Sequence, residues 1–371
     1  MKILQVLPRF LEDAETIYNL ERIGGAERYA VNLCRAQRKL GLDSTLMVFA
    51  PKQSRLEVDG IPVLTVKALP FFRAINREFD PIPTEPLRFT KVLDRYDIIH
   101  THSVASDVSI LLTLIRRVTG KRYHVMATDH GWSGLTLARM MAMCKPLMRF
   151  SGFDGLLPVS KPSFSGYSNS ARVFEPMFGG ADPELFRPSN DDRNRQVLFV
   201  GRVMPHKNLE TIVRAVSLLK DKPTLIVIGP ALDHAYQTFV QTLAEKLDVD
   251  TRFVGPVSDE SLVHYYSSSV ALVLPSSDEL FGLVLVEAMA CELPVIANRA
   301  RGIPFAVDDG KTGFLVAPGD VKQLSDRLQL LLGNHEIGVR IGAAGRKKVL
   351  ENFTWEHVAR RALRAYEEVL L

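Results

Sequence analysis

The sequence predicts an α/β chain of two doubly wound, Rossmann-like domains facing a central cleft. Three observations carry that prediction. At 371 residues the chain is long for one hydrophobic core and comfortable for two domains of roughly 180 residues each. Short apolar runs alternate with helical periodicity twice over, once on each side of a junction. The junction, Asp182-Pro183-Glu184-Leu185-Phe186-Arg187-Pro188 and the polar run Ser189–Arg195, carries two prolines and dense charge. These features set the first expected domain at 1–185 and open the second at 186. No repeat dominates, so the two runs read as two separate sheets covered by helices.

Hydrophobic content of 46% and charged content of 24% are those of a soluble globular protein. The net charge of +4 is unevenly spread: residues 1–185 hold 24 Lys+Arg against 19 Asp+Glu, and the remainder 22 against 23. A mildly basic N-terminal half suits an anionic substrate and leaves a peripheral membrane contact open, but it is too weak to argue for nucleic acid. Cys34, Cys144 and Cys291 lie far apart among apolar residues, without metal-ligand spacing, and read as buried thiols of a cytoplasmic protein. The apolar start, MKILQVLPRF, is too short for a signal peptide, and no run of about 18 apolar residues is present to span a membrane.

Lys2–Leu7 reads as the first buried strand. After a loop, Gly24-Gly25-Ala26-Glu27 opens a helix whose Tyr29, Leu33, Ala36 and Leu40 share one face, with Gly41 past its end. Strand, glycine pair, helix lets backbone N–H groups approach an anion, although tight turns need glycine as well. Ser44–Phe49 and Pro62–Val66 are β-rich, and the proline- and aromatic-rich residues 68–90 read as a surface loop or short helices. The strand ending in His100-Thr101-His102 precedes a helix, Ser106–Val118. The strand Tyr123–Thr128 ends in Asp129-His130-Gly131-Trp132. Polar residues at the C-terminal tip of a parallel strand mark the ligand-binding edge of such sheets. His130 is the strongest of these candidates. Leu135–Phe150 reads as a helix packing a Met/Leu face on the core or lying on a membrane surface. Strands follow at Gly155–Ser160 and Val173–Phe178.

Beyond the junction the alternation restarts with strand Val197–Val200, loop Gly201–Asn208, helix Leu209–Leu219 and strand Thr224–Ile228. Helix Ala235–Leu247 and strand Arg252–Val254 follow, the latter leading into Gly255-Pro256-Val257. Helix Asp259–Ser267 then precedes the stretch on which the chemistry centres, Val270–Asn298. There an apolar strand stops at Pro275, a polar loop carries Glu279, and a helix starts near Phe281-Gly282 with Glu287 inside it. Pro294 ends that helix. The N–H groups of Phe281, Gly282 and Leu283 lie where a helix N-terminus welcomes phosphate. Arg202 and Lys207 leave one loop together, a forked guanidinium and a point-charge ammonium suited to a diphosphate. A carboxylate in the same domain can accept from ribose hydroxyls. No Mg²⁺-type carboxylate cluster is evident, and Gly-x-Ser-x-Gly, HExxH and GxxxxGK[ST] are all missing. Loss of a diphosphate leaving group, driven by electrostatics and positioning, is the reaction that remains.

Glu279-x7-Glu287 within SSDELFGLVLVEAMACELPVIA resembles the E-x7-E signature of the retaining glycosyltransferases of family four, of GT-B fold. The resemblance extends in family order over Gly24–Glu27, Asp97–Ser103, Asp129–Gly131, Asp182–Phe186, Gly201-Arg202, Lys207-Asn208 and Asp309–Val316. It implies a hexosyl transfer from a nucleotide sugar, UDP-linked first and GDP-linked next, to a hydroxyl of a small-molecule, glycan or lipid-linked acceptor. Glu287 would take the ribose hydroxyls and Glu279 those of the transferred sugar. Arg202, Lys207 and the N–H groups of Phe281, Gly282 and Leu283 would take the diphosphate. Gly24 and Gly25 would let the N-terminal loop approach, Val257 would border the nucleotide, and His130 would sit by the reacting sugar. No metal or other cofactor is implied, and the final helix, 355–371, would cross back onto the N-terminal domain, which leaves 186–354 as the second domain. Two positions depart from the family pattern: Gly179-Gly180-Ala181-Asp182 stands where Asn-Gly-Val-Asp is usual, and Arg301-Gly302-Ile303-Pro304-Phe305 where Gly-Gly-x-x-Glu is usual. Arg301 is thereby a candidate for a further phosphate contact. A nucleotide-sugar epimerase of the same fold and a non-catalytic sugar-nucleotide binder are the alternatives.

Overall fold

The computed structural model describes residues 1–12, 24–73, 78–104, 106–130, 152–160, 171–189 and 194–371. The expected helix Leu135–Phe150 and Cys144 lie outside these residues. The chain divides into two units, Met1–Phe178 with Trp355–Leu371, and Gly179–Thr354. The division falls after residue 178 rather than after 185. Two hydrogen bonds account for it: Ala181 N–H donates to the distant Phe353 carbonyl (2.9 Å), and the turn Asp182–Phe186 closes on itself with Phe186 N–H on the Asp182 carbonyl. The charged turn is therefore the first structure of the second unit, not the last of the first.

In the first unit, β1 (Lys2–Phe10), β2 (Asp43–Ala50), β6 (Ile98–Thr101), β7 (His124–Asp129), β8 (Gly155–Pro158) and β9 (Arg172–Val173) pair in parallel in the order β2-β1-β6-β7-β8-β9. Of the expected strand Val173–Phe178 only Val173 lies in a strand, as the second residue of β9. Helix α1 (Gly25–Lys39) links β1 to β2, with Gly41 at φ +81° just beyond it. The sheet continues outward with β4 (Ile61–Arg73), which takes β3 (Ser54–Val58) and β5 (Glu78–Pro83) antiparallel. Helix α2 (Pro86–Leu93) follows β5. Residues 68–73 and 78–83 are thus antiparallel strands and a short helix starts at Pro86, where a surface loop or short helices were expected. Proline density misled there: among the described residues β5 pairs with β4 alone, so the absent donors of Pro81 and Pro83 interrupt no interior ladder. Helix α3 (Asp107–Thr119) is capped as its sequence foretells, Ser109 N–H donating to Ser106 Oγ and Gly120 sitting at φ +63°.

The second unit is a parallel sheet of β10 (Gln196–Val200), β11 (Thr224–Ile228), β12 (Thr251–Gly255), β13 (Ala271–Leu274), β14 (Val295–Asn298) and β15 (Phe314–Val316). Their order is β12-β11-β10-β13-β14-β15. Connections run through α4 (Leu209–Ser217), α5 (His234–Lys246), α6 (Asp259–Ser268), α7 (Leu283–Ala290) and α8 (Ile303–Ala306), with α9 (Val321–Gly333) and α10 (His335–Asn352) after the last strand. This is the order of mononucleotide-binding halves, and its direction reverses between β10 and β13. Val197, Leu198, Ala271 and Leu272 are fully buried at that seam, the apolar run reading expected of a strand covered on both faces.

The last helix, α11 (Trp355–Leu370), belongs to the first unit. Its buried residues Trp355, Val358, Ala359, Ala362, Ala365 and Tyr366 fall at helical spacing on one face. Trp355 meets the Tyr29 ring of α1 edge-on at 5.2 Å. Among the described residues no helix is long and apolar enough to cross a membrane.

Candidate active site

Two loops leave the C-terminal ends of β10 and β13 at the reversal of strand order, where open α/β sheets leave a crevice. The loop after β10 turns through a short 3-10 segment, Pro205–Lys207, into Asn208, whose φ of +53° is left-handed. Asparagine tolerates that region because its short side chain bonds locally. Here Asn208 Nδ2 donates to the Pro275 carbonyl at 3.0 Å, and Asn298, at the tip of β14, donates to the same oxygen at 2.5 Å. Ser277 N–H donates to the His206 carbonyl at 3.2 Å. The two loops are therefore tied to each other before any ligand arrives.

That tie brings Lys207 Nζ to 2.6 Å from Glu279 Oε2, with the side chains 12% and 21% exposed. Arg202, from the same loop, is exposed and makes no ion pair among the described residues. Burial, then Lys207 and Arg202, hold His206 below the usual imidazole range, so it adds no charge at neutral pH. Arg301 is held by a carboxylate in the unliganded chain, as Lys207 is. Its guanidinium pairs with Asp278, and its φ of +42° shows that the loop keeps the left-handed turn for which glycine is usual.

Helix α7 begins at Gly282, φ +83°, where a Cβ would stand 2.9 Å from Leu285 Cδ1 and 3.2 Å from Leu274 Cδ2. Phe281 is buried edge-on to Phe353 at 5.2 Å, and Leu283 is half-buried. A Cβ on Gly179 would strike both Phe281 and Leu283, which explains why a glycine serves where the family pattern has asparagine. Glu287 lies inside α7 at 3% exposure, with Tyr266 OH donating to its Oε2 at 3.3 Å. It is not a surface carboxylate. Cys291 beside it is pushed up to about 12 by burial first and Glu287 second, so its thiol is inert. Val257 is half-buried just after β12, on the same sheet edge.

In the first unit, Gly24 and Gly25 open α1. A Cβ at Gly25 would meet nothing within 4 Å, whereas one at Gly24 would press on Glu27 Oε2 at 2.7 Å. Glu27 is buried and held by Arg9 Nη1 at 2.5 Å. Tyr29 of the same helix places its ring 4.8 Å from that of His130, which follows β7. His130 Nε2 lies 3.0 Å from His102 Nδ1, and His102 stacks on His100 with ring centroids 4.8 Å apart. Burial lowers His100 and His130 to about 3, so all three rings stay neutral across the physiological range.

The structure thus joins Lys207 to Glu279, and His130 to the Gly25 helix. It leaves Arg202 at the surface and puts Glu287 beneath α7. Tyr266, Asn298, Gln5 and Tyr366 were missed. Gln5 carried a signal, a lone polar residue inside the apolar run ILQVL. Tyr366 carried none beyond its helical periodicity.

Two family models match the chain, "Glycosyltransferase Family 4" over residues 23–163 and "Glycosyl transferases group 1" over residues 182–348. The D-inositol 3-phosphate glycosyltransferase of Frankia alni is 35% identical over 397 residues, covering 94% of this chain and 95% of that protein. The enzyme of the same name from Corynebacterium diphtheriae is 27% identical, over 94% of this chain and 90% of its own. With that of Corynebacterium efficiens the match is 36% identical and spans about half of each, 51% of this chain and 49% of the relative. Among solved structures, sucrose-phosphate synthase of Thermosynechococcus elongatus superposes with a TM-score of 0.76 at 22% identity, over 100% of this chain and 99% of that one. The Anabaena protein HepE, solved with UDP and glucose, gives 0.75 at 18% identity over 99% of each chain. The fold is that of the GT-B enzymes, and with a relative at this identity along nearly its whole length, the chain belongs to the group 1, family 4 glycosyltransferases.

Proposed function

We propose that the chain moves a hexosyl unit from a nucleotide sugar, UDP-linked in the first place and GDP-linked next, to an acceptor hydroxyl, retaining the anomeric configuration and using no metal. The observation that carries this is the Lys207–Glu279 pair at the reversal of strand order, a cation beside a hydroxyl-accepting carboxylate. In the reaction the bond from the anomeric carbon to the diphosphate oxygen breaks and a bond to the acceptor oxygen forms. The departing phosphate takes the acceptor's proton. Lys207 and Arg202 meet the charge that grows on the leaving group, helped by the N–H groups that start α7. Glu279 turns from Lys207 to the sugar hydroxyls, Glu287 takes the ribose, and Gly24, Gly25 and His130 serve the sugar and acceptor side. The HepE complexes support UDP, and the name shared by the relatives supports a phosphorylated polyol as acceptor.

The test is incubation with UDP-glucose and a polyol phosphate in the presence of a chelator. UDP released in step with an α-linked product is expected. A β-linked product, or activity lost to the chelator, would contradict retention or metal independence. An epimerase would instead isomerise the donor, and an inert binder would release no UDP. Glu287→Ala is expected to raise the donor Kd roughly tenfold or more while kcat changes little, because a ribose contact is made equally in ground and transition states. Unchanged donor binding would confine Glu287 to its bond with Tyr266.

We also propose a peripheral contact with anionic membranes through the first unit. A hollow of about 420 Å³ there is lined by Arg55, Arg88, Lys91 and Arg95, and Leu87 beside it is 79% exposed. Co-sedimentation with phosphatidylglycerol vesicles, lost on Arg55→Glu with Arg95→Glu, is expected. Equal binding to neutral vesicles would contradict an electrostatic contact.

A further inference from the structure

Tyr366 of α11 sits within a run of buried polar groups that ends at His130. Its hydroxyl is 3.3 Å from Gln5 Nε2, 3.3 Å from Gln37 Nε2 and 2.6 Å from His100 Nδ1. Gln5 Nε2 also donates to Gln37 Oε1 at 2.9 Å, and Ser44 Oγ donates to that same oxygen at 2.8 Å. On its other side Gln5 Oε1 faces His102 Nε2 at 2.8 Å, and His102 Nδ1 faces His130 Nε2. His100 Nε2 meets Thr128 Oγ1 at 2.7 Å. Gln5, Gln37, His100, His102, Thr128 and Tyr366 are all buried, so each donor and acceptor must be matched within the protein.

Only one pattern of protons matches them. Reversing either glutamine amide alone sets oxygen against oxygen, or nitrogen against nitrogen, at 2.9 Å. Reversing both leaves the phenol oxygen facing two carbonyl oxygens with one proton to give. With the amides as found, both lone pairs of the phenol are filled and its proton goes to His100 Nδ1. Gln5 Oε1, an acceptor only, requires a proton on His102 Nε2. Neutral His102 then accepts at Nδ1, which puts the proton of His130 on Nε2 and a lone pair on its Nδ1.

We propose that Gln5, His102 and Tyr366 are positioning residues for the transfer reaction, fixing His130 as the Nε2–H tautomer so that Nδ1 offers an acceptor to a substrate hydroxyl. The last helix of the chain, through Tyr366, decides which nitrogen of His130 the substrate meets. This rests on the reading above that His130 serves the sugar and acceptor side, and it adds the group that orients the ring and the atom that is used. None of the three positioning residues touches substrate. Their effect is on population: without the phenol, the two coherent amide arrangements become close in energy, and His130 spends part of its time with Nδ1 protonated and unable to accept.

The experiment is long-range proton–nitrogen correlation on the full chain carrying isotope-labelled histidine, run on wild type and Tyr366→Phe. Wild type is expected to show His100, His102 and His130 all protonated on Nε2. Tyr366→Phe is expected to show both tautomers at His130, with kcat for UDP release from UDP-glucose lowered in proportion to the fraction still protonated on Nε2, about twofold for an equal mixture, and KM for UDP-glucose unchanged. Thr128→Val, at the far side of His100, is expected to leave the His130 tautomer as it was. Should Tyr366→Phe fail to fold, Gln5→Leu removes the acceptor for His102 and is expected to give the same mixture at His130. Wild-type His130 protonated on Nδ1, or a spectrum and kcat unmoved by Tyr366→Phe, would overturn the proposal. Failure of the transferase reading shows separately, as no UDP release from the wild-type chain, and leaves the spectrum to judge the network.

Discussion

Lys207→Ala is expected to remove about 3–4 kcal/mol of transition-state stabilisation, lowering kcat/KM on the order of 100- to 1000-fold. The reason is where the ammonium sits. It is 12% exposed, on a loop fixed to the β13 loop by Asn208 and Ser277, so it needs little reorganisation as charge grows on the leaving phosphate. In the unliganded chain Glu279 holds it in place. On the proposed reading a diphosphate would take it over and free the carboxylate for the sugar, so that one pair would serve both halves of the donor. The pair is partly solvated, and its loss should cost the fold no more than about 1 kcal/mol. A decrease in kcat/KM of less than tenfold would contradict a role at the diphosphate. Lys207→Arg should recover only part of the activity, because a planar fork does not reproduce a compact ammonium.

Gly229→Ala is expected to have the largest effect on stability, about 3 kcal/mol or more, seen as a melting transition lowered by about 10 °C for a unit of this size. Gly229 follows β11 with φ +130°, a conformation L residues rarely adopt, and a Cβ there would collide with the backbone carbonyl of Gly201. Gly201 opens the loop that carries Lys207, so donor binding should weaken as well. Gly25→Ala is the matched control: a Cβ there meets nothing within 4 Å, and the melting temperature should hold within about 2 °C. Equal stability of wild type and Gly229→Ala would show that the two loops do not need their close approach.

Much of the second unit was legible because its strands are short, apolar and bounded by proline or glycine. Thr224–Ile228 is the strand expected, and α7 begins one residue after the Phe281-Gly282 start expected for it. Lys207 and Glu279 were each legible as site residues on loops that follow strands, but their contact was not, since the sequence grouped Lys207 with Arg202 and Glu279 with Glu287. Burial of Glu287 was not, since its partner Tyr266 comes from another helix and nothing local foretells the meeting. The hairpin of β4 and β5 was hidden by its prolines, which mark loops in most settings and edge strands in this one. The division after Phe178 was hidden because the hydrogen bond that draws Ala181 into the second unit comes from Phe353, far along the chain. Gln5 and Tyr366 stand at opposite ends of the sequence, and only folding brings them to 3.3 Å.

The most direct test of nucleotide-sugar binding at Lys207 and Glu279 is the thermal stability of the chain with UDP, GDP, ADP or dTDP, each with Mg²⁺ or a chelator. A ligand that binds the folded state at about 100 times its Kd adds about 2.7 kcal/mol, well within reach of such a measurement. The expected result is a rise for UDP above the others, the same with Mg²⁺ as with chelator, and lost in Lys207→Ala. No rise with any of the four, or a UDP rise unaltered by Lys207→Ala, would contradict a donor site built on that pair.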